Sequence, residues 1–145
     1  MELIAGEGLR VGAEFLVTPD HQGAPGLAHG GMLALAFDEA LGALNWLLLK
    51  PAVTGRLETD FRRPVKVGEL LHIDAEIVGL AGRKLYTRAV GRLGGPEGEI
   101  ALTAAALFIQ VSLEHFTSNG RAEDVQRVAQ ERAGGAPMFQ MDVNP

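Results

Sequence analysis

A run of small and apolar residues that encloses a single pair of acidic side chains constrains the fold of this chain more than any other segment. The run extends over about residues 30–49, opens on two glycines and is closed by Pro51, a pattern that predicts one long α-helix. A helix that is apolar on nearly every face is normally buried. Asp38 lies in its middle, and burying an ionised carboxylate without partners costs free energy. Asp38 therefore has either hidden hydrogen-bond partners or a chemical role.

The apolar residues of the rest of the chain recur mostly with a period of two, which indicates strands. Turn-forming glycines and prolines separate these segments. Strands are predicted at 11–18, 56–62, 71–77, 83–93 and 100–111. With a single long helix, the simplest arrangement is an α+β fold in which an antiparallel sheet is wrapped around one central helix.

The domain organisation follows from length and from a change in character near residue 116. A chain of 145 residues is long enough for one domain with a sizeable core. We expect that domain at 1–116. The remainder, 117–145, is predicted to be a C-terminal polar helix followed by a mobile tail that begins at the Gly134-Gly135 pair.

Composition excludes several classes of protein. The net charge is −5 and no long basic run occurs, which argues against a nucleic-acid partner. The absence of cysteine removes disulfides, thiolate metal sites and a cysteine nucleophile. The start of the sequence lacks a signal-peptide pattern, and the apolar runs are too short to span a bilayer. We therefore expect a cytoplasmic protein with no membrane partner.

The remaining residues also limit the possible catalytic machinery. Ser112 and Ser118 are the only serines, and neither lies in a Gly-x-Ser-x-Gly turn, so a serine hydrolase is excluded. His29 and Asp38 are too far apart on one helix to bind the same ion, and no His-x-x-x-His pair occurs. No metal site is expected.

Three motifs carry a resemblance to a known family. They are the Gln22–Gly31 segment with its His-Gly-Gly end, the Asp38–Gly42 segment, and the Arg-Arg-Pro at 62–64. In this order they resemble the hotdog fold, and within it the acyl-CoA thioesterases of the phenylacetate-pathway PaaI type. The similarity extends over about residues 11–116.

The resemblance implies an acyl-CoA thioesterase that acts on an aryl- or fatty-acyl-CoA. It also implies a homodimer, which can assemble further into a dimer of dimers. Coenzyme A would then be part of the substrate, and no separate cofactor is expected. Two alternatives stay open. One is a hotdog hydratase or dehydratase, for which His29 is the only candidate catalytic histidine; the other is a non-catalytic acyl-CoA-binding dimer.

Helix geometry also predicts a site shared between two subunits. Gly31 and Asp38 lie on one stripe of the helix, about 10 Å apart along its axis. One thioester carbonyl cannot easily contact both groups in the same chain. Two antiparallel helices related by a two-fold axis would bring Gly31 of one subunit opposite Asp38 of the other.

Each candidate residue then has an expected role in that site. The Gly31 N–H, at the positive end of the helix, would hold the oxyanion. Asp38 would act as general base on water or as nucleophile through an anhydride, and both routes stay open. The resemblance places a water-positioning hydroxyl near Thr54. His29 is expected to fix the loop before the helix. Glu39, which points about 100° away from Asp38, is the second carboxylate candidate.

Coenzyme A carries several negative charges, so an acidic protein is expected to bind it through a local basic patch. Two groups of basic residues are candidates for these contacts. They are Arg62, Arg63 and Lys66 in one segment, and Arg83 and Lys84 in another.

Overall fold

The computed structural model describes residues 1–5 and 9–119, together with Glu123 and Arg127. In these residues a six-stranded antiparallel sheet packs against one long helix. In chain order the elements are β1 (Glu2–Ala5), β2 (Arg10–Leu16), α1 (Gly30–Leu47), β3 (Ala52–Phe61), β4 (Leu70–Ala81), β5 (Lys84–Leu93), β6 (Ile100–Gln110) and α2 (Leu113–Asn119). The predicted α+β arrangement of an antiparallel sheet around one helix is confirmed. No described helix combines the length and the apolarity that crossing a membrane requires.

The position of β3 matters most for the site. The strand order across the sheet is β1-β2-β4-β5-β6-β3, so the strand that follows α1 in sequence forms an edge. β3 pairs with β6 from Ala52 to Phe61, and within the described part of the chain its other side has no partner strand. An unpaired edge of ten residues is a surface that can pair with another strand.

The core lies between α1 and one face of the sheet. On α1, Phe37, Leu41 and Leu44 are fully buried. Their partners on the sheet include the fully buried Leu71, Ile73, Leu85 and Leu102. At Gly91 of β5 an added Cβ would lie 2.7 Å from the Phe37 ring, so the helix approaches the sheet closely there because that residue has no side chain. This packing fixes the orientation of α1 and therefore the face on which Asp38 lies.

Most predicted strands agree with the structure, and the differences are local. Strand β1 was not predicted, because its four residues show no period-two alternation of apolar and polar side chains. The helix ends at Leu47 instead of near residue 49, since Leu49 takes a φ of 54°, which no helix can continue.

The C-terminal part of the chain is only partly covered by the structure. Helix α2 spans the predicted boundary at residue 116, so no break in secondary structure occurs there. The polar helix and tail are predicted for 117–145. Beyond Asn119 this segment lies outside the described residues, except for Glu123 and Arg127.

Candidate active site

The first turn of α1 carries an asymmetric set of backbone donors. His29 is the N-cap residue, and its imidazole Nδ1 accepts a hydrogen bond from the N–H of Gly31 at 2.9 Å. The N–H groups of Met32 and Leu33 both donate to the carbonyl oxygen of His29. Among the described residues, the N–H of Gly30 has no acceptor. It is therefore the free donor at the positive end of the helix.

This arrangement corrects the sequence-based assignment of the oxyanion donor. We expected the Gly31 N–H to be available, but the His29 imidazole occupies it in the structure. The signal that could have distinguished the two glycines is the capping rule itself. An N-cap side chain bonds to the second or third N–H of the helix, which leaves the first one free. His29 was expected to fix the loop before the helix; its N–H donates to the carbonyl oxygen of His21 at 2.7 Å, and its ring caps the helix.

The two glycines have different neighbours, which supports different roles. A Cβ at Gly31 would lie only 3.0 Å from the His29 ring, so a larger residue there would have to displace the folded-back imidazole slightly. A Cβ at Gly30 would lie 3.7 Å from Phe61, which is an ordinary van der Waals distance. Phe61 is 52% exposed, and its ring lies beside Gly30. An apolar wall therefore flanks the donor.

The structure brings Asp38 and Thr54 together. The Thr54 hydroxyl donates to Asp38 Oδ1 at 2.9 Å, from the start of β3 to the middle of α1. The register of β3 against β6 shifts between Thr54 and Arg56, which places a β-bulge at Gly55. A Cβ at Gly55 would lie 3.1 Å from Ile109, so this bulge favours glycine. The half-buried carboxylate of Asp38 thus keeps one oxygen bound and the other available.

Glu39 is the second carboxylate at this position of α1. Partial burial raises the pKa of Glu39 above its ordinary value of 4.5, and the negative charge of neighbouring Asp38 raises it further. Within the described residues Glu39 has no cationic partner. The free-energy cost of ionising Glu39 is therefore linked to the charge of Asp38.

The first predicted basic group lies directly after β3. The backbone N–H groups of Arg62 and Arg63 both donate to the carbonyl oxygen of Ala101, at 2.8 and 2.9 Å. Their side chains line an open cavity of about 560 Å³ together with Glu99 and Ile100. Lys66 follows on the loop to β4, where its backbone N–H donates to the Glu69 carboxylate.

The second predicted basic group lies at the opposite end of the sheet. Arg83 lies in the turn between β4 and β5, and Lys84 is the first residue of β5. Lys84 is opposite Ile109 on β6. Phe61, which precedes Arg62, is opposite Leu102 on the same strand. Leu102 and Ile109 are seven residues apart on β6, so the two basic groups lie roughly 23 Å apart along the strand direction. Within one chain the two basic groups are therefore not brought together.

The part of the chain that the structure describes contains no cluster of metal ligands. No three His, Asp or Glu side chains there are placed to hold one ion.

Comparison with known proteins identifies the family. The sequence profile of the thioesterase superfamily matches residues 25–99, which is slightly more than half of the chain. Acyl-coenzyme A thioesterase THEM4 of Xenopus laevis is 31% identical over 93 residues, covering 64% of this chain and 41% of the relative. THEM4 of Bos taurus is 34% identical over 96 residues, covering 66% and 39%. The chain thus spans about two fifths of the length of these curated relatives.

Solved structures show the same fold. Protein RHA08564, a thioesterase superfamily protein, superposes with a TM-score of 0.68 at 30% identity, covering 74% of this chain and 54% of that one. The phenylacetic acid degradation protein PaaI from Thermus thermophilus, crystallised as a point mutant, has a TM-score of 0.67 at 24% identity, covering 76% and 92%. A hypothetical thioesterase from Streptococcus pneumoniae, solved with coenzyme A, has a TM-score of 0.71 at 20% identity, covering 77% and 88%. The expected hotdog fold is confirmed.

The raised pKa of Glu39 predicts how stability depends on pH. The folded chain holds the Glu39 proton more tightly than the unfolded chain does. That stabilisation is present below about pH 4.5 and is lost as the pH rises through the raised pKa. Glu39→Gln, which cannot ionise, should therefore match the wild type in acid and be the more stable protein at pH 7. Thermal unfolding at fixed protein concentration across pH 4 to 8 measures the difference.

Glu97→Gln is the matched control, because it removes one negative charge from an exposed loop position. A stability difference for Glu39→Gln that stays constant across this pH range, or that equals the control, contradicts the prediction.

Proposed function

Because this chain belongs to the thioesterase superfamily, we propose that it hydrolyses the thioester bond of acyl-CoA substrates at a site shared by two subunits. The observation that carries the proposal is the hydrogen bond from Thr54 to the half-buried carboxylate of Asp38. The names of the THEM4 relatives and the coenzyme A bound to the Streptococcus pneumoniae structure support acyl-CoA as the substrate. The proposal needs no cofactor beyond the coenzyme A that the substrate itself contains.

The distance between the Gly30 N–H and the Asp38 carboxylate is the reason why we propose a site shared by two subunits. Gly30 and Asp38 are eight residues apart on α1, about 12 Å along the axis, which is too far for one carbonyl group and its attacking water. β3 runs antiparallel to α1, with Phe61 beside Gly30 and Thr54 beside Asp38. Antiparallel pairing of the β3 edge with its two-fold copy would bring the Gly30 end of one chain to the Asp38 end of the other. We propose a homodimer on this ground; a dimer of dimers would repeat the same site.

The chemistry of the site follows from its donors and acceptors. The thioester oxygen accepts a hydrogen bond from the Gly30 N–H, and the positive end of α1 stabilises the charge that develops on it. Asp38 of the other subunit removes a proton from water as the water attacks the carbonyl carbon. The carbon–sulfur bond then breaks, and the coenzyme A thiolate leaves and takes up a proton. Thr54 holds Asp38 Oδ1, so that Oδ2 faces the water.

The alternative route through an anhydride uses the same residues. Asp38 would attack the carbonyl carbon itself and expel the thiolate, and water would then hydrolyse the mixed anhydride. In both routes Gly30 stabilises an oxyanion and Asp38 is indispensable.

The acyl group has an apolar surface to bind on. Leu35 of α1 is 39% exposed, and Phe61 of β3, whose ring lies beside Gly30, is 52% exposed. An aryl or fatty-acyl group would cover both side chains. The phosphates of coenzyme A would contact Arg62 and Arg63, which follow Phe61 directly. Two-fold pairing of β3 would also turn the partner's Arg83 hairpin toward this end of the sheet.

The hydratase alternative is less well supported by the contacts of His29. Such an enzyme needs a histidine that accepts or delivers the substrate proton. The His29 Nδ1 atom instead accepts from the Gly31 N–H and caps the helix. Since the cap needs that lone pair, only Nε2 could exchange a proton with a substrate, and no carboxylate of the described residues is hydrogen-bonded to the His29 ring.

A turnover assay separates an enzyme from a binding protein. Thiol release from a panel of aryl- and fatty-acyl-CoAs should be measured on the wild type and on Asp38→Asn, with binding of the same esters measured by calorimetry. We expect the variant to bind the ester and to lose turnover, because the amide is neither base nor nucleophile. Bound esters with no turnover by the wild type across the whole panel would instead indicate the non-catalytic dimer.

A proline at position 30 tests the oxyanion donor directly. Gly30 is the first residue of α1, where proline is well tolerated, and His29 has the extended ψ of 131° that a following proline requires. Gly30→Pro replaces the N–H by the Cδ of a proline ring and adds a Cβ, whereas Gly30→Ala adds the Cβ and keeps the N–H. We expect kcat/KM to fall by about 10²- to 10³-fold for proline. Similar losses in both variants contradict this role.

A further inference from the structure

The cavity after β3 contains a feature that phosphate binding alone does not explain. Arg62 and Arg63 line it, but so does the acidic residue Glu99. Arg63 Nη1 lies 3.4 Å from Glu99 Oε2, so one of the two cations is already paired. Arg62 has no ion pair in the described chain. In the proposed function this cavity binds phosphate groups of coenzyme A, and the negative charge of Glu99 opposes that binding. The presence of Glu99 there therefore needs a physical explanation.

Both walls of the cavity are held in place by backbone contacts. On one side, the two arginine N–H groups share the carbonyl oxygen of Ala101. On the other side, the carbonyl oxygen of Glu99 accepts from the N–H of Leu93 at 2.9 Å. The Arg63 and Glu99 backbones are therefore fixed relative to each other, and only their side chains are free to change partners.

The turn before Glu99 is itself constrained. At Gly98 a Cβ would lie 1.7 Å from the Leu93 carbonyl oxygen, so no other residue fits without moving the loop. The Arg92 guanidinium donates to the Gly98 carbonyl oxygen at 3.1 Å and closes the turn from the side. The position of Glu99 is thus built into the β5–β6 hairpin.

The Arg63–Glu99 ion pair is weak enough to be exchanged. The two side chains are 54% and 68% exposed, and ion pairs with that exposure contribute little in water. A phosphoryl group offers a guanidinium two charged oxygens in bidentate geometry, which is a stronger contact than a single one to a carboxylate. Arg63 can therefore leave Glu99 for a phosphoryl group without unfolding anything.

We propose that Glu99 is an internal competitor for Arg63 that weakens the binding of the phosphorylated end of coenzyme A. In the empty site Glu99 holds Arg63. When coenzyme A binds, a phosphoryl group takes Arg63 and joins Arg62, and the freed carboxylate of Glu99 repels it. The inference rests on the proposed function, because it identifies the ligand as the phosphorylated part of an acyl-CoA. Its consequence is a lowered affinity for the coenzyme A product and hence faster release.

Calorimetric titration with unesterified coenzyme A tests this without any turnover. Glu99→Gln keeps the shape of the side chain and removes its charge, and Glu97→Gln makes the same change in net charge two residues away. We expect Glu99→Gln to tighten coenzyme A binding about three- to tenfold, Glu97→Gln to change it far less, and the gain to shrink as salt increases. Pantetheine, which lacks every phosphate, should bind all three proteins equally.

The same titrations in an Arg63→Gln background show whether Glu99 acts through Arg63. There the two single effects should not add, because Arg63 has already been removed, and Glu99→Gln should gain less than in the wild type. Titration with 3′-dephospho-coenzyme A identifies the phosphoryl group, since the effect of Glu99→Gln is lost if the 3′-phosphate is the one bound and kept if the diphosphate is.

Three results would overturn the inference. They are equal affinities for Glu99→Gln and Glu97→Gln, a gain that extends to pantetheine, and a full gain in the Arg63→Gln background. If the wild type binds no coenzyme A at all, the proposed function fails together with the inference. If the wild type binds coenzyme A and Glu99→Gln changes nothing, only the inference fails.

Discussion

The hydrogen bond between the His29 imidazole and the Gly31 N–H is the interaction on which the candidate site depends. It satisfies one of the N–H groups that every helix start leaves without a partner, and two more are satisfied by the His29 carbonyl oxygen. The single N–H that remains, that of Gly30, is thereby the place where the helix can bind a developing negative charge. A residue that stabilises the helix thus also determines which amide is available for the substrate.

The packing of α1 explains why a carboxylate can lie so close to the core. The fully buried Phe37 and Leu41 lie close to Asp38 in sequence and anchor the neighbouring face of the helix to the sheet. Asp38 is left half-buried, facing the edge strand β3, where Thr54 satisfies one of its oxygens. The same edge lacks a partner strand in the described chain. The position of the carboxylate and the position of the proposed subunit contact therefore have one cause, which is the placement of β3 beyond β6.

The sequence predicts those parts that depend on local patterns. The start of α1 and the alternation in β4 follow from the glycine pair and from periodicity, and the resemblance places a hydroxyl near Thr54. The choice between Gly30 and Gly31 follows from the capping rule only once His29 is known to be the N-cap residue, which the apolar pattern of the helix does not show. The separation of Arg83 from Arg62 depends on sheet order, which no local pattern contains. The ion pair between Glu99 and Arg63 joins the turn before β6 to the segment after β3, and residues so far apart in sequence are brought together only by the pairing of β3 with β6.

The central claim is that one site takes Gly30 from one subunit and Asp38 from the other, and mixed dimers test it most directly. Gly30→Pro and Asp38→Asn subunits with different tags are co-expressed, and the doubly tagged species is purified and assayed for thiol release. Each mixed dimer has one intact site, so its activity should be about half that of the wild type, although each variant alone retains about 1% of the wild-type activity or less. A mixed dimer as inactive as its parents, or a failure to recover any mixed species, would contradict the account.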